Sequence, residues 1–192
     1  MPVREPDDIP TDDPRPDDLR RAPSLVLVNT GNGKGKSSAA VGVIVRSIAR
    51  GWKVGMIQFL KSGTWKTGEE KICQQIGAEW WAMGEGFTWD SEDLTLDQAV
   101  AAQAWEHAKG LINAGDHNLI VMDEVTYPLN WKWIDLDDFI ATIVNRPEHV
   151  NIICTGRNAP EALVEIADTV TEMKEIKHAY AQGIRAKKGI DY

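Results

Sequence analysis

The stretch that decides the fold is Leu25-Val26-Leu27-Val28-Asn29-Thr30-Gly31-Asn32-Gly33-Lys34-Gly35-Lys36-Ser37-Ser38. Its first four residues are apolar and partly β-branched, long enough for one buried parallel strand, and the glycines that follow break it. From Ser37 to Arg50 the apolar residues Ala40, Val43, Ile44 and Ile48 recur at helical spacing, and Gly51 stands just past the end. Strand, glycine-rich turn and helix in that order are the setting a phosphate-binding loop requires. Glycines let successive backbone N–H groups turn inward around an anion, and the helix N-terminus adds partial positive charge. Lys36 is then the cation for phosphate oxygens, and Ser37 a hydroxyl ligand for Mg²⁺. The loop departs from the general pattern at Thr30, where the first glycine is usual; Gly31 and Gly33 supply the turning freedom instead.

Outward from the loop, strands and helices alternate. Val54 to Phe59 reads as a second strand, Thr67 to Ile76 as a helix, Glu79 to Met83 as a strand and Gly84 to Asp93 as a loop. A longer helix is expected from near Thr95, whose spacing to Gln98 is that of a capping box, with Leu96, Val100, Ala104, Ala108 and Leu111 as its apolar stripe. Leu119 to Met122 is a buried strand, Asp135 to Asn145 a helix ending before Pro147, and Val150 to Thr155 a further strand. A short helix over Asn158 to Ala167 and a strand over Thr169 to Met173 complete the pattern. The class that follows is α/β: one domain of P-loop NTPase-like (RecA-like) form, its mostly parallel sheet covered by helices on both faces. In such sheets ligands sit at the carboxyl ends of the strands.

The first 23 residues stand apart, with six of the nine prolines and the pairs Asp7-Asp8, Asp12-Asp13 and Asp17-Asp18. They read as an acidic disordered tail that cannot bury enough apolar surface to order by itself, a second reading being that it docks over a site. Residues 24–192 form the domain. With 192 residues the chain suits a single core, and no apolar run approaches the roughly 18 residues of a membrane helix. A net charge of −8 is the wrong sign for binding along a nucleic-acid backbone, so phosphate contact is expected to be local. The only two cysteines, Cys73 and Cys154, lack ligand spacing and no secretory core precedes the domain, so a reducing cytoplasm is the expected compartment.

Further chemistry gathers at predicted strand ends. Asp123-Glu124 follows Leu119 to Met122, where P-loop proteins hold an acid near the metal; one of the two with Ser37 suffices for Mg²⁺, which takes few protein oxygens besides phosphate. Arg157 follows Thr155-Gly156, placed either to touch phosphate or ribose or to pair with a surface acid. Eight tryptophans is many, and Trp65, Trp89, Trp131 and Trp133 fall in expected loops, which suits a large flat apolar ligand as well as ordinary packing. Gly84-Glu85-Gly86-Phe87-Thr88-Trp89 stands out among these loops. His107, His117, His149 and His178 show no ligand spacing.

In order along the chain, Thr30 to Ser38, Gln58-Phe59-Leu60-Lys61, Gly86-Phe87-Thr88-Trp89, Asp123-Glu124-Val125-Thr126-Tyr127, Thr155-Gly156-Arg157, and Lys177-His178-Ala179-Tyr180 through Gly189-Ile190-Asp191-Tyr192 resemble the P-loop branch of the ATP:corrinoid adenosyltransferases. Thr30 agrees with that family, which often has Thr where Ser37 and Ser38 stand. The resemblance implies transfer of the 5′-deoxyadenosyl group of ATP to Co(I) of a corrinoid, with release of triphosphate and with cobalt as the nucleophile. It implies Lys36, Phe87 and Trp89 as catalytic residues, the latter two displacing the lower axial ligand of cob(II)alamin so that a mild reductant reaches Co(I). Nucleotide contacts are implied for Gly31, Asn32, Gly33, Lys34, Gly35, Lys36, Ser37, Ser38 and Arg157, and Mg²⁺ ligation for Ser37 and Glu124. A flavodoxin-like reductase and a homodimer are implied as partners.

Overall fold

The structure is a computed structural model that describes residue 16 and residues 18–62, 67–84 and 94–191. Strands β1 (Val26–Thr30), β2 (Val54–Ser62), β3 (Glu79–Gly84), β4 (Leu119–Asp123), β5 (Asn151–Thr155) and β6 (Thr169–Glu172) form one sheet in the order β3-β2-β4-β5-β1-β6. Every pairing is parallel. Helices are α1 (Lys36–Ile48), α2 (Gly68–Gln75), α3 (Leu94–Ala114), α4 (Thr126–Asn130), α5 (Leu136–Val144) and α6 (Glu161–Ile166). This is the α/β, P-loop NTPase-like domain expected.

Alternation along the strands sends side chains to both faces, and both are covered, as a parallel sheet requires. Ile57, Ile120, Met122 and Ile152 pack with Trp105 and Ile112 of α3, Phe139 and Ile143 of α5, and Leu163 of α6. On the other face Met56, Leu119, Val121 and Ile153 pack with Ala40 and Ile44 of α1 and Cys73 of α2. Thr67 caps α2 through the Glu70 amide (3.2 Å), and Asp135 caps α5 through the Asp138 amide (2.8 Å).

Helix α3 departs from expectation twice. Thr95 lies inside the helix, not ahead of it as a cap. Its buried side is Ala101, Ala104, Trp105, Ala108 and Ile112, while Leu96 is exposed, so the stripe is rotated by about one residue from that read off the sequence. The cause is Trp105: its indole packs on the Phe139 ring with centroids 4.8 Å apart, and its Nε1 donates to Asp138 at 2.9 Å. Burying that large ring outweighs burying Leu96. Helix α4 covers residues to which the sequence reading assigned no element, β2 runs on past Phe59 to Ser62, and α6 starts at Glu161 rather than Asn158; Glu124, at φ 64, turns the chain from β4 into α4.

Sheet register aligns polar residues at the carboxyl edge. Gln58 of β2 is opposite Asp123 of β4, and Asn29 of β1 is opposite Thr155 of β5. Because β5 lies between β1 and β4, one strand separates the loop after β1 from the acids at the end of β4.

Candidate active site

The glycine-rich loop turns through Gly31 (φ 94) and Gly35 (φ 109), left-handed conformations that glycine adopts without steric cost. A Cβ on Gly31 would sit 2.5 Å from the Met173 carbonyl oxygen, so the loop is pressed against the chain leaving β6. There the Gly33 amide donates to the Met173 carbonyl (2.6 Å) and the Met173 amide to that of Thr30 (2.8 Å). Thr30, in place of a glycine, accepts through its hydroxyl from the Ala159 amide at 3.1 Å. Unlike α2 and α5, helix α1 has no side-chain cap and no acid in its first turn. Its N-terminal amides are thus oriented for an anion.

Lys36, the first residue of α1, is half-buried, and its Nζ donates to the carbonyls of Gly31 (2.8 Å) and Gly33 (2.7 Å). Burial lowers its pKa below the usual lysine value, the Arg157 charge lowers it further, and Glu124 and Asp123 pull the other way. The cation therefore sits in the field of another cation and of two carboxylates. Folding thus disfavours the Lys36 charge, a perturbation of the kind found at functional sites.

Across β5 the two acids have different settings. Asp123 is fully buried; its Oδ1 accepts from the Thr155 hydroxyl (2.6 Å) and its Oδ2 from Gln58 Nε2 (3.1 Å), whose Oε1 in turn accepts from Trp80 Nε1 (3.1 Å). Glu124 is half-buried, and its amide donates to the Thr155 hydroxyl at 3.0 Å. Thr155 thus ties the Asp123 carboxylate to the Glu124 backbone. Gly156 (φ 140) passes so close to α4 that a Cβ would lie 2.0 Å from Thr126 Oγ1. Thr126 and Asn130 donate to the carbonyls of Arg157 (2.7 Å) and Asn158 (2.9 Å), which holds the turn carrying exposed Arg157. Tyr127 of α4 lies within the field of Arg157, Glu124 and Asp123. Its ring contacts Trp131 (centroids 5.6 Å apart), which contacts Trp133 (4.7 Å), an aromatic rim beside the acids.

Gly31, Gly33, Gly35, Lys36, Glu124 and Arg157 are therefore gathered at one edge, and Ser37 lies in the first turn of α1. Lys34 instead pairs with Asp191, whose other oxygen accepts from the Lys187 amide at 2.7 Å. Asn32 and Ser38 are exposed. Phe87, Trp89 and Trp65 lie outside the described residues, as does most of the tail. Sequence reasoning missed Thr155 as the link between the acids, Asn130 as a brace for the Arg157 turn, and Met173 as the loop's backing. Only Thr155 had a sequence signal, its place at a strand's last position. Burial pushes the thiol pKa up at both Cys73 and Cys154, so neither is an activated nucleophile.

The profile of the family ATP:corrinoid adenosyltransferase BtuR/CobO/CobP matches residues 22–192. The chain is 38% identical over 168 residues to a corrinoid adenosyltransferase of Escherichia coli K12, covering 88% of this chain and 85% of that protein. It is 43% identical over 170 residues to one of Pseudomonas aeruginosa, covering 88% and 83%. A Salmonella typhimurium corrinoid adenosyltransferase is 38% identical over 168 residues, covering 88% and 85%.

Proposed function

The chain belongs to the ATP:corrinoid adenosyltransferases, and from that premise we propose that it transfers the 5′-deoxyadenosyl group of ATP to Co(I) of a corrinoid, in adenosylcobalamin biosynthesis or salvage. The cobalt electron pair attacks C5′, a Co–C bond forms, the C5′–O bond breaks, and its electrons leave on inorganic triphosphate. The observation that carries the reading is Lys36 at the head of α1, in the field of Arg157, Glu124 and Asp123. Such a reaction asks the protein for alignment and for stabilisation of the departing charge. Lys36 and the loop amides supply that stabilisation, with Arg157 as a further phosphate or ribose contact. Gly31, Asn32, Gly33, Lys34, Gly35, Ser37 and Ser38 complete the nucleotide contacts.

Ser37 and Glu124 would hold Mg²⁺, with Asp123 behind them. The donors are all hard oxygens, and among the described residues no cluster of three or more His, Cys, Asp or Glu could hold a metal by itself. That suits an ion that takes one or two protein oxygens besides phosphate and water. When bound, Mg²⁺ neutralises phosphate charge. Phe87 and Trp89 displace the lower ligand of Co(II), and a flavodoxin-like reductase supplies the electron. The enzyme acts as a homodimer in the cytoplasm; among the described residues no helix is long and apolar enough to cross a membrane.

The test is anaerobic incubation with ATP, Mg²⁺ and chemically generated Co(I) corrinoid, following the corrinoid spectrum and phosphate products together. One triphosphate per Co–C bond is expected. Mainly ADP and phosphate, formed without corrinoid, would make the protein an ATPase instead.

A further inference from the structure

The proposed chemistry occupies the carboxyl edge of the sheet, yet a cavity of about 580 Å³ opens at the opposite edge, within the size range of binding clefts. Its floor is apolar: Leu25 just ahead of β1, Leu27 of β1, Leu119 of β4 and Ile153 of β5, with Trp52 at the side. Leu25 and Trp52 remain 39% and 40% exposed. Arg46 and Arg50, four residues apart at the end of α1, stand on its rim. Lys53 and Lys109 pair with Glu79 and Asp138, but among the described residues no carboxylate pairs with either of these arginines. An apolar floor beside two unneutralised guanidinium groups fits an extended peptide that carries an apolar residue between carboxylates.

The sequence contains such a peptide. Asp7-Asp8-Ile9-Pro10-Thr11-Asp12-Asp13 places Ile9-Pro10 between two acidic pairs. It also joins the domain at the cavity: Leu25 lines the floor, its amide donates to Asn151 Oδ1 (2.9 Å), and the neighbouring Ser24 hydroxyl accepts from Arg146 (3.0 Å). Fifteen residues lie between Ile9 and Leu25, a span of up to about 50 Å when extended, so the peptide reaches without strain. Tethering sets its effective concentration near the millimolar range, so even weak docking is populated.

We propose that the cavity between α1 and the amino-terminal edge of the sheet is the seat of the chain's own acidic segment Asp7–Asp13. Ile9-Pro10 covers the apolar floor, and the flanking aspartates meet Arg46 and Arg50. The segment has too few apolar residues to order alone, and the domain supplies the surface it lacks.

Amide hydrogen exchange of residues 43–52, measured on full-length protein, tests this. Ile9→Asp is expected to speed exchange there about fivefold or more, and so is the quadruple variant Asp7→Lys/Asp8→Lys/Asp12→Lys/Asp13→Lys. Adding Arg46→Glu/Arg50→Glu to that quadruple variant is expected to restore protection, which a general loss of folding cannot do. Exchange unchanged in Ile9→Asp overturns the proposal. So does protection that rises with protein concentration but ignores Ile9, since a second copy would then cover the face.

Discussion

The two ends of the sheet both carry ionisable groups, and they are arranged to opposite ends. At the amino-terminal edge Glu79 lies 3.0 Å from His117 Nε2 and 3.3 Å from Lys53 Nζ. Burial alone would raise its pKa, but hydrogen bonds from His117 and Lys53 outweigh burial and hold it below the usual carboxylate range. Folding stabilises that charge. At the carboxyl edge burial, with Arg157 beside it, holds the Lys36 pKa down, so folding disfavours that charge. The Glu79 cluster is satisfied by its own neighbours, whereas the carboxyl edge keeps at Lys36 a cation that an incoming polyanion would stabilise. The contrast sets a charge that the fold stabilises against one that the fold disfavours, without appeal to any relative.

The strongest way to break the contrast is Lys36→Ala. Loss of a preorganised donor to developing charge is expected to lower the transfer rate on the order of 10²- to 10³-fold. The melting temperature without nucleotide should stay level or rise, because a charge disfavoured by folding is removed. A fall of several degrees with activity retained would place Lys36 among the structural cations.

Phe87→Ala and Trp89→Ala ask whether these two rings tune the corrinoid. Both variants are expected to stay folded and to transfer well from pre-reduced Co(I), but to fail from Co(II) with a mild reductant. Equal losses from both starting states would mean that the rings position the corrinoid for transfer.

Thr155→Val sharpens the comparison within the carboxyl edge. It removes the hydroxyl that Asp123 and the Glu124 amide share, at a cost of about 1–3 kcal/mol for buried groups left unpaired. Denaturant unfolding checks the stability, and the Mg²⁺ concentration giving half-maximal rate should rise.

Glu79→Gln carries the smallest effect: under about 1 kcal/mol of stability, as for solvent-exposed pairs, with the transfer rate unchanged. Its pKa is lowered by folding from a usual value of 4.5, so its stabilisation is complete above that pH and is lost as pH falls through the folded value. Thermal melts between pH 7 and 3 should show wild type and variant converging at the acid end.

The phosphate loop, the order of strands and helices, and the acids after β4 were legible in the sequence because each is a local property. A short apolar run, a helical period, or a glycine where the backbone turns left-handed leaves its mark within about a dozen residues. Helix α3 marks where local reading stops: its period was right, but its orientation was set by Trp105 meeting Phe139 and Asp138, more than thirty residues further on. Helix α4 left no periodic mark because it is five residues long and contains Pro128.

By itself, then, the sequence determined that this protein is an α/β domain with a glycine-rich strand-to-helix turn that carries Lys36 at the head of a helix, since glycine geometry and side-chain period need no partner. Only the tertiary structure decided that β5 enters between β1 and β4, so that one hydroxyl on Thr155 ties the Asp123 carboxylate to the Glu124 backbone, and that the backbone at Met173 supports the loop at Gly31 and Gly33. Those contacts join residues tens to more than a hundred positions apart. Their energy comes from register and close approach, which leave no period in the chain.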